Sequence, residues 1–332
     1  MANELAVEST GRTNEPAVEA TGLTKSYGST RVLTGVDFQV PPGSVFSLLG
    51  PNGAGKTTAV RILATLTRLD SGQARVAGFD VTRDRHEVRR RISLTGQFAA
   101  VDELQTGAEN LRMMGRLSGL RAADARRRAR YLLDEFDLGD VAARRVATYS
   151  GGMRRKLDLA ASLVGHPAVI FLDEPTTGLD PRSRQAMWQV ITNLAGSGVT
   201  IFLTTQYLDE ADLLADRIAV LDGGRVVAEG TAAELKARVA EQRLELTLAD
   251  SDAFTAAARS LGARAIRTDP ARRTIAVATD GTGAHVRALL DEVDPTRAAV
   301  ATFALRTATL DDVFLTLTGH SAGRLEKETA GV

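Results

Sequence analysis

The sequence predicts an α/β domain followed by a smaller α+β domain. Apolar strand-like runs alternate with helical runs between residues 17 and 239, as in a sheet that is covered by helices. Within this stretch a glycine-rich loop, residues 50–58, lies between a strand and a helix. After residue 240 the order of elements becomes β-α-β-β-α-β. Together these observations predict two domains of different class and place the glycine-rich loop in the first.

The elements of the first domain follow from the length and spacing of its apolar residues. Short, continuous apolar runs are typical of buried strands, and longer runs with a helical repeat are typical of amphipathic helices. We expect strands at residues 45–49, 169–172, 199–204 and 218–221, and helices at residues 56–66, 123–136, 153–164 and 182–195.

The second domain is expected to span residues 240–319 and to act as a dimerisation or regulatory module. The polar stretches on either side of the two domains, residues 1–16 and 320–332, are predicted to be disordered tails. In this domain we expect strands at residues 243–249, 263–268, 274–279 and 298–305, and helices at residues 252–261, 284–293 and 310–317.

The composition excludes several kinds of function. The 332 residues contain no cysteine, which excludes disulfides, thiolate metal sites and cysteine nucleophiles. Basic and acidic residues balance at 41 each, so charge gives no reason to expect a nucleic-acid partner. The chain has no apolar run near the ~20 residues that span a bilayer, and its N-terminus lacks a signal-peptide pattern. We therefore expect a cytoplasmic protein.

The glycine-rich loop carries the strongest functional signal. It follows the pattern G-x-x-x-x-G-K-[ST] after a strand and before a helix, which is the pattern of a phosphate-binding loop. Its glycines let backbone N–H groups surround phosphate oxygens, and the helix that follows directs its positive end at the same anions. Lys56 is expected to bind the β- and γ-phosphates, and the Thr57 hydroxyl to bind Mg²⁺. The residues of the loop are Gly50, Pro51, Asn52, Gly53, Ala54, Gly55, Lys56, Thr57 and Thr58.

A second signal is the apolar run 169–172, which ends at Asp173 and Glu174. In P-loop NTPases a strand of this kind lies beside the phosphate loop. Asp173 would then hold Mg²⁺, and Glu174 would polarise the attacking water. Taken alone, the same pattern also fits an ordinary core strand that ends in a polar turn.

The third signal is the sequence Tyr-Ser-Gly-Gly-Met at residues 149–153, which resembles the signature sequence of ABC ATPases. Ser150, Gly151 and Gly152 lie at a helix start, which suits binding of a γ-phosphate. Taken alone, Ser-Gly-Gly also fits any flexible turn. Its position between the phosphate loop and the Asp-Glu strand makes the resemblance specific.

Further residues match the ABC family in the expected order. Tyr27 resembles the aromatic residue that stacks on adenine, although it also fits an ordinary tyrosine in a hairpin. Gln97 resembles the glutamine that touches Mg²⁺ and faces the membrane subunit, and Asp180 resembles the D-loop aspartate that links the two sites of a dimer. One departure is Gln206, which stands where most ABC ATPases have a histidine. Its amide still donates hydrogen bonds to a γ-phosphate but does not titrate near neutral pH.

The segment 204–212 and the tail segment 310–319 resemble the daunorubicin/doxorubicin-resistance ATPases, which also carry glutamine in the first segment. The resemblance implies an ABC ATPase domain with a helical subdomain, and it implies ATP and Mg²⁺ as ligands. It also implies a homodimer that closes around two ATP molecules and drives a separate polytopic membrane permease. That permease would contact the exported drug, and the chain would lie peripherally on the cytoplasmic face of the membrane.

Three alternatives are considered. One is a soluble ABC ATPase without a transport role, and another is an exporter of a lipid or glycoconjugate. The third is a binding module that sequesters a drug, against which the nearly complete hydrolytic set with Glu174 argues. Translation factors of the soluble class usually carry two ATPase halves, and repair proteins carry long coiled coils, whereas this sequence shows neither.

Overall fold

The computed structural model describes residues 15–96, 101–239, 242–306 and 309–318. The chain divides into two units, Met1–Ala232 and Ala233–Val332. The expected boundary after residue 239 lies at the end of the helix in which this division falls. The predicted α/β class for the first unit and α+β class for the second are confirmed.

The first unit contains two sheets and the helices that surround them. Its strands are β1 (Val18–Tyr27), β2 (Thr30–Val40), β3 (Val45–Leu49), β4 (Ser71–Val76), β5 (Phe79–Asp80), β6 (Ile92–Thr95), β7 (Val169–Asp173), β8 (Thr200–Thr205), β9 (Arg217–Asp222) and β10 (Arg225–Gly230). Its helices are α1 (Lys56–Leu63), α2 (Arg85–Arg91), α3 (Gly107–Leu117), α4 (Ala122–Glu135), α5 (Gly151–Ser162), α6 (Pro181–Gly196) and α7 (Leu208–Leu214), and the helix α8 (Ala232–Val239) spans the division between the units.

The larger sheet has the strand order β10-β9-β3-β8-β7-β6. All neighbours are parallel except β10, which pairs antiparallel with β9. Every residue of β3, β7 and β8 is buried, as expected for parallel strands that are covered on both faces. Because these strands are parallel, their carboxyl ends meet at one edge, where ligands bind in open α/β sheets.

The smaller sheet, with the order β2-β1-β4-β5, is antiparallel and was not among the predicted elements. Phe38 of β2 contacts Phe46 of β3 and Phe202 of β8, with ring centroids 5.3 and 5.5 Å apart. Phe171 of β7 extends this aromatic cluster, with its centroid 5.5 Å from that of Phe202. Offset aromatic contacts at this spacing stabilise the core beyond their buried area. The cluster therefore joins the two sheets.

The helical subdomain that the resemblance implied is built from α3, α4 and α5. Leu111, Leu132 and Leu157, one from each helix, are buried in one apolar cluster with Ile170 of β7. Thr106 and Glu109 form a capping box at the start of α3, which satisfies N–H groups that the first turn leaves free. This cluster attaches the helical layer directly to the strand that ends at Asp173.

The second unit is a four-stranded antiparallel sheet with two helices against it. Its strand order is β12-β13-β11-β14, and α9 and α10 share an apolar cluster with β11 and β13. The predicted β-α-β-β-α-β order is confirmed, with ends within a few residues of those expected. The bounds are β11 (Gln242–Leu248), α9 (Ser251–Leu261), β12 (Ala265–Asp269), β13 (Thr274–Thr279), α10 (Gly283–Val293), β14 (Val300–Arg306) and α11 (Leu310–Thr318).

Candidate functional site

The glycine-rich loop lies at the carboxyl end of β3, between that strand and α1. The Gly50 N–H donates to the carbonyl of Thr205 at 3.2 Å, which fixes the start of the loop to the end of β8. A Cβ on Gly50 would lie 2.2 Å from the carbonyl oxygen of Leu221, so no larger residue fits. Gly55 has φ of 109°, a conformation that is costly for any residue with a side chain. The backbone path of the loop therefore depends on its glycines.

Lys56 is the first residue of α1 and only 3% exposed. Its ammonium group donates to the carbonyls of Gly50 and Pro51 at 2.8 and 3.1 Å. It also lies 3.3 Å from Oε1 of Glu174. Burial lowers the pKa of Lys56, while the nearby carboxylate of Glu174 acts in the opposite direction. The lysine therefore lies in the loop opposite the carboxylate at the end of β7.

Asp173 connects the phosphate loop to two neighbouring strands. The Thr57 hydroxyl donates to Oδ1 of Asp173 at 3.2 Å, and the Thr204 hydroxyl donates to the same oxygen at 2.6 Å. A hydroxyl and a carboxylate that meet in this way are oxygen ligands of the kind that Mg²⁺ prefers. The donor set of Thr57 and Asp173 thus fits a magnesium ion whose other ligands are phosphate and water. The described residues contain no group of three or more His, Cys, Asp or Glu that could hold a metal ion, so any ion here depends on the hydroxyl and on a bound nucleotide.

Glu174 follows the last residue of β7 and has an uncommon backbone conformation. Its φ is 51°, in the left-handed region that costs a non-glycine residue about 1–3 kcal/mol. Its N–H donates to the carbonyl and the hydroxyl of Thr204, both at 3.1 Å, and Thr177 donates to its Oε2 at 3.3 Å. The side chain that faces Lys56 is therefore held by β8 and by the loop that follows β7.

Gln206 follows β8 and is 6% exposed. Among the described residues its Oε1 has no hydrogen-bond partner. Further along the chain, on α7, Glu210 accepts hydrogen bonds from Thr176 and Trp188 at 2.8 and 3.0 Å. Burial raises the pKa of Glu210, although these hydrogen bonds and one from Thr205 oppose the shift.

The signature residues begin α5. The Ser150 side chain caps this helix by accepting from the Met153 N–H at 3.2 Å. A Cβ on Gly151 would meet open space, whereas one on Gly152 would lie 2.8 Å from the Ser183 hydroxyl.

Asp180 caps α6 by accepting from the N–H groups of Arg182 and Ser183. Its pKa is lowered, chiefly by a hydrogen bond from the Ser183 hydroxyl. The starts of α5 and α6 are therefore neighbours.

The structure brings together Lys56, Thr57, Asp173 and Glu174, which the sequence assigned to one site. Tyr27 ends β1 and is 49% exposed, with the Lys25 ammonium 5.4 Å from its ring centroid. Asn52 and Gly53 lie exposed in the phosphate loop, whereas Ala54 is buried. Thr58 is half-buried in the first turn of α1. Gln97 lies outside the described residues.

Three residues at this site were not predicted: Thr204, Arg155 and Glu210. Thr204 carried a usable signal, because it lies at the end of a predicted strand, and ligands bind at the carboxyl ends of parallel strands. The other two are charged residues in polar helical runs, and their burial depends on the tertiary structure.

A phosphate loop after β3, paired acids after β7 and a serine at the start of α5 define a P-loop ATPase. A family model described as ABC transporter matches residues 33–177, and one described as the C-terminal domain of DrrA1-3-like ATP-binding proteins matches residues 230–318. The chain belongs to the family of ABC transporter ATP-binding proteins, in its daunorubicin-resistance branch. Its activity is that of an ATPase that is coupled to transport.

Individual relatives agree with this assignment. The chain is 52% identical over 317 residues to the daunorubicin/doxorubicin resistance ATP-binding protein DrrA of Streptomyces peucetius, covering 95% of this chain and 96% of that protein. It is 37% identical over 305 residues to the Nod factor export ATP-binding protein I of Ralstonia nicotianae, covering 92% and 94%. A solved ATP-binding subunit of an ABC transporter superposes with a TM-score of 0.60 at 29% identity, covering 67% of this chain and 92% of that chain.

Within the part of the chain that the structure describes, no helix is both long enough and apolar enough to cross a membrane.

Proposed function

We propose that this chain is the ATP-hydrolysing subunit of an exporter for a hydrophobic antibiotic or related metabolite. The observation that carries the proposal is the convergence of Lys56, Thr57, Asp173 and Glu174 at one edge of the larger sheet. A binding module that only sequesters a drug has no need of a buried lysine opposite a carboxylate beside a phosphate loop. The relative that is named for daunorubicin and doxorubicin resistance supports the nature of the cargo.

Each residue of the site has a role that its position supports. The backbone N–H groups of the loop and the start of α1 bind the phosphates of ATP. Lys56 neutralises the β- and γ-phosphates, and a bound Mg²⁺, held by Thr57 and Asp173, would polarise the phosphoryl oxygens. Glu174 accepts a hydrogen bond from the attacking water, and Gln206 donates to the γ-phosphate from the end of β8. We also assign Tyr27 to adenine stacking and Gln97 to the magnesium and permease contacts.

The signature residues are proposed to act on the nucleotide of a second copy. Ser150 is the N-cap of α5 and Lys56 begins α1, so each lies at a helix N-terminus, which favours an anion. In a two-fold symmetric dimer, each ATP lies between the Lys56 side of one copy and the Ser150, Gly151 and Gly152 of the other. Asp180 is assigned to the link between the two sites. Because charge-assisted hydrogen bonds contribute about 1.5–3 kcal/mol each, the γ-phosphate closes the dimer and its loss opens it.

The permease is proposed to be a separate polytopic membrane protein that contacts the cargo. This chain would then be held peripherally on the cytoplasmic face of the cell membrane by that protein. One relative is named for the export of a different cargo, Nod factor. A lipid or glycoconjugate is therefore the second candidate.

Two measurements test these proposals. The tagged full-length chain, purified from gently solubilised host membranes, should bring down a polytopic membrane protein in near-equal amount. A preparation that carries ribosomes or DNA instead, or no membrane protein, would overturn the exporter while leaving the ATPase assignment. Stimulation of the ATPase activity of the complex by daunorubicin, but not by an amphiphilic oligosaccharide, would support the antibiotic as cargo, and the reverse would support the second candidate.

A further inference from the structure

The side chain of Arg155 joins three backbone segments of the first unit. Its Nη1 donates to the carbonyl of Gly96 at 2.6 Å, and its Nε donates to the carbonyl of Pro175 at 2.9 Å. Its Nη2 lies 3.5 Å from the carbonyl of Glu174, at the long end of hydrogen-bonding distance. Arg155 lies on α5, five residues after Ser150. One guanidinium therefore connects the signature helix with the segments that follow β6 and β7.

Each of the two connected segments contains or borders a residue with a proposed role in ATP hydrolysis. Gly96 directly precedes Gln97, the residue that is assigned to the permease and magnesium contacts. Glu174 is the residue that is assigned to the attacking water, and its left-handed φ of 51° must be maintained by its surroundings. A guanidinium reaches both segments because its planar fork carries five N–H donors, whereas a lysine ammonium concentrates its donors at one point.

The positive charge of Arg155 is balanced by a buried carboxylate on the same helix. Arg155 and Asp158, one turn further along α5, are both buried, and Nη1 lies 3.7 Å from Oδ2 of Asp158. Burial lowers the pKa of Arg155, and the charges of Asp158, Asp173 and Glu210 oppose that shift. Removing a charged group from water costs free energy, and Arg155 is buried with carbonyl acceptors on both segments. Its role therefore differs from that of a solvent-exposed arginine on a helix surface. The adjacent Arg154 differs, since it is partly exposed and pairs with Glu103.

We propose that Arg155 is a positioning residue that holds the backbone of Glu174 in its working conformation. This inference rests on the proposed role of Glu174 and on the proposed dimer. The guanidinium donors of Arg155 are directed at backbone carbonyls of its own chain, so its loss should affect the rate of hydrolysis and spare the affinity for ATP.

The test compares Arg155→Met and Arg155→Lys with the matched control Arg154→Met in the full-length chain purified with its membrane partner. Methionine keeps most of the volume without donors, and lysine keeps the charge opposite Asp158 without the fork. We expect kcat to fall about tenfold or more in both variants, because a shift of about 1 Å in a reacting group costs on the order of 100-fold. KM for ATP should stay within about twofold of the wild-type value. With MgATP, both variants should accumulate the ATP-bound dimer, and Arg154→Met should behave as wild type.

Other outcomes separate this inference from the proposed function. Wild-type kcat in Arg155→Met would overturn the inference and leave the ATPase mechanism standing. If the variants no longer form the ATP-bound dimer, the substitutions act through the signature residues, and the inference is again overturned. If both variants melt well below wild type, the role is in folding, and positioning is rejected. If Glu174→Gln hydrolyses ATP normally, the proposed role of Glu174 fails and the inference fails with it.

Discussion

The ammonium group of Lys56 lies 3.3 Å from Oε1 of Glu174, and both side chains are buried. The two residues come from different strands of the sheet, since Lys56 follows β3 and Glu174 follows β7. An ion pair that is withdrawn from water in this way is costly to break by removing one partner. In the proposed mechanism the same two groups bind the γ-phosphate and the water that attacks it.

The first prediction concerns Glu174. Replacing it with glutamine keeps the shape but removes the base, so ATP hydrolysis should fall about 100- to 10,000-fold. ATP binding should persist, because the phosphate loop is unchanged. Size-exclusion chromatography with MgATP should show a trapped dimer for Glu174→Gln and a reversible one for the wild type. A variant that binds ATP but stays monomeric would contradict the proposed dimer.

The second prediction concerns Thr57, whose hydroxyl donates to Asp173. Thr57→Val preserves the shape and removes the oxygen, so the Mg²⁺ concentration for half-maximal ATPase activity should rise about tenfold or more. Thr57→Ser keeps the oxygen and serves as the control. Equal Mg²⁺ dependence in the two variants would show that the hydroxyl does not bind the ion.

The third prediction concerns the fit of Gly50 under the carbonyl of Leu221. Because an added Cβ would lie 2.2 Å from that oxygen, Gly50→Ala should lower the free energy of unfolding by more than about 2 kcal/mol. Gly196→Ala, at the exposed end of α6 with open space around it, should not lower stability and should raise it by up to about 1 kcal/mol. Urea unfolding of both variants measures the difference, and equal stabilities would refute the steric argument.

The fourth prediction concerns Glu210, whose pKa is raised by burial. In the range between its ordinary pKa and the raised one, the folded chain binds a proton that the unfolded chain has lost. The contribution of Glu210 to stability is therefore complete below its ordinary pKa and is lost as the pH rises through the raised value. Glu210→Gln keeps an oxygen for Thr176 and Trp188 and does not titrate. Its melting temperature relative to wild type should thus increase as the pH rises from about 5 to 8.

The strongest parts of the sequence prediction were local ones. The phosphate loop, the strand before Asp173 and the helix at Ser150 each carry their pattern within a dozen or so adjacent residues, and the structure contains each of these elements. The end of α1 was wrong by three residues, since the helix was expected to reach residue 66 but ends at Leu63. Thr65 adopts a φ of 61°, which stops the helix, and a threonine gives no sequence signal of this.

The parts that were missed depend on long-range contacts. The antiparallel sheet pairs β1 with β4, which lies more than 40 residues further along the chain. In addition, β1 contains register shifts, which interrupt the alternation of buried and exposed side chains that would indicate a strand. Arg155 stands between Arg154 and Lys156, and only the packing of α5 determines which of these cations turns inward. The roles of all the site residues remain predictions, and those of Tyr27, Gln97 and the signature residues require a nucleotide or a second subunit to be seen at all.

The closeness of Gly152 and Ser183 has a consequence for sequence evolution. A side chain at position 152 would lie 2.8 Å from the hydroxyl at position 183, which itself donates to Asp180. An alanine at position 152 would force the Ser183 hydroxyl to turn away and give up its hydrogen bond to Asp180, so the residue at one position affects which residues are tolerated at the other. In an alignment of relatives, these two positions should therefore change together, although they lie on different helices.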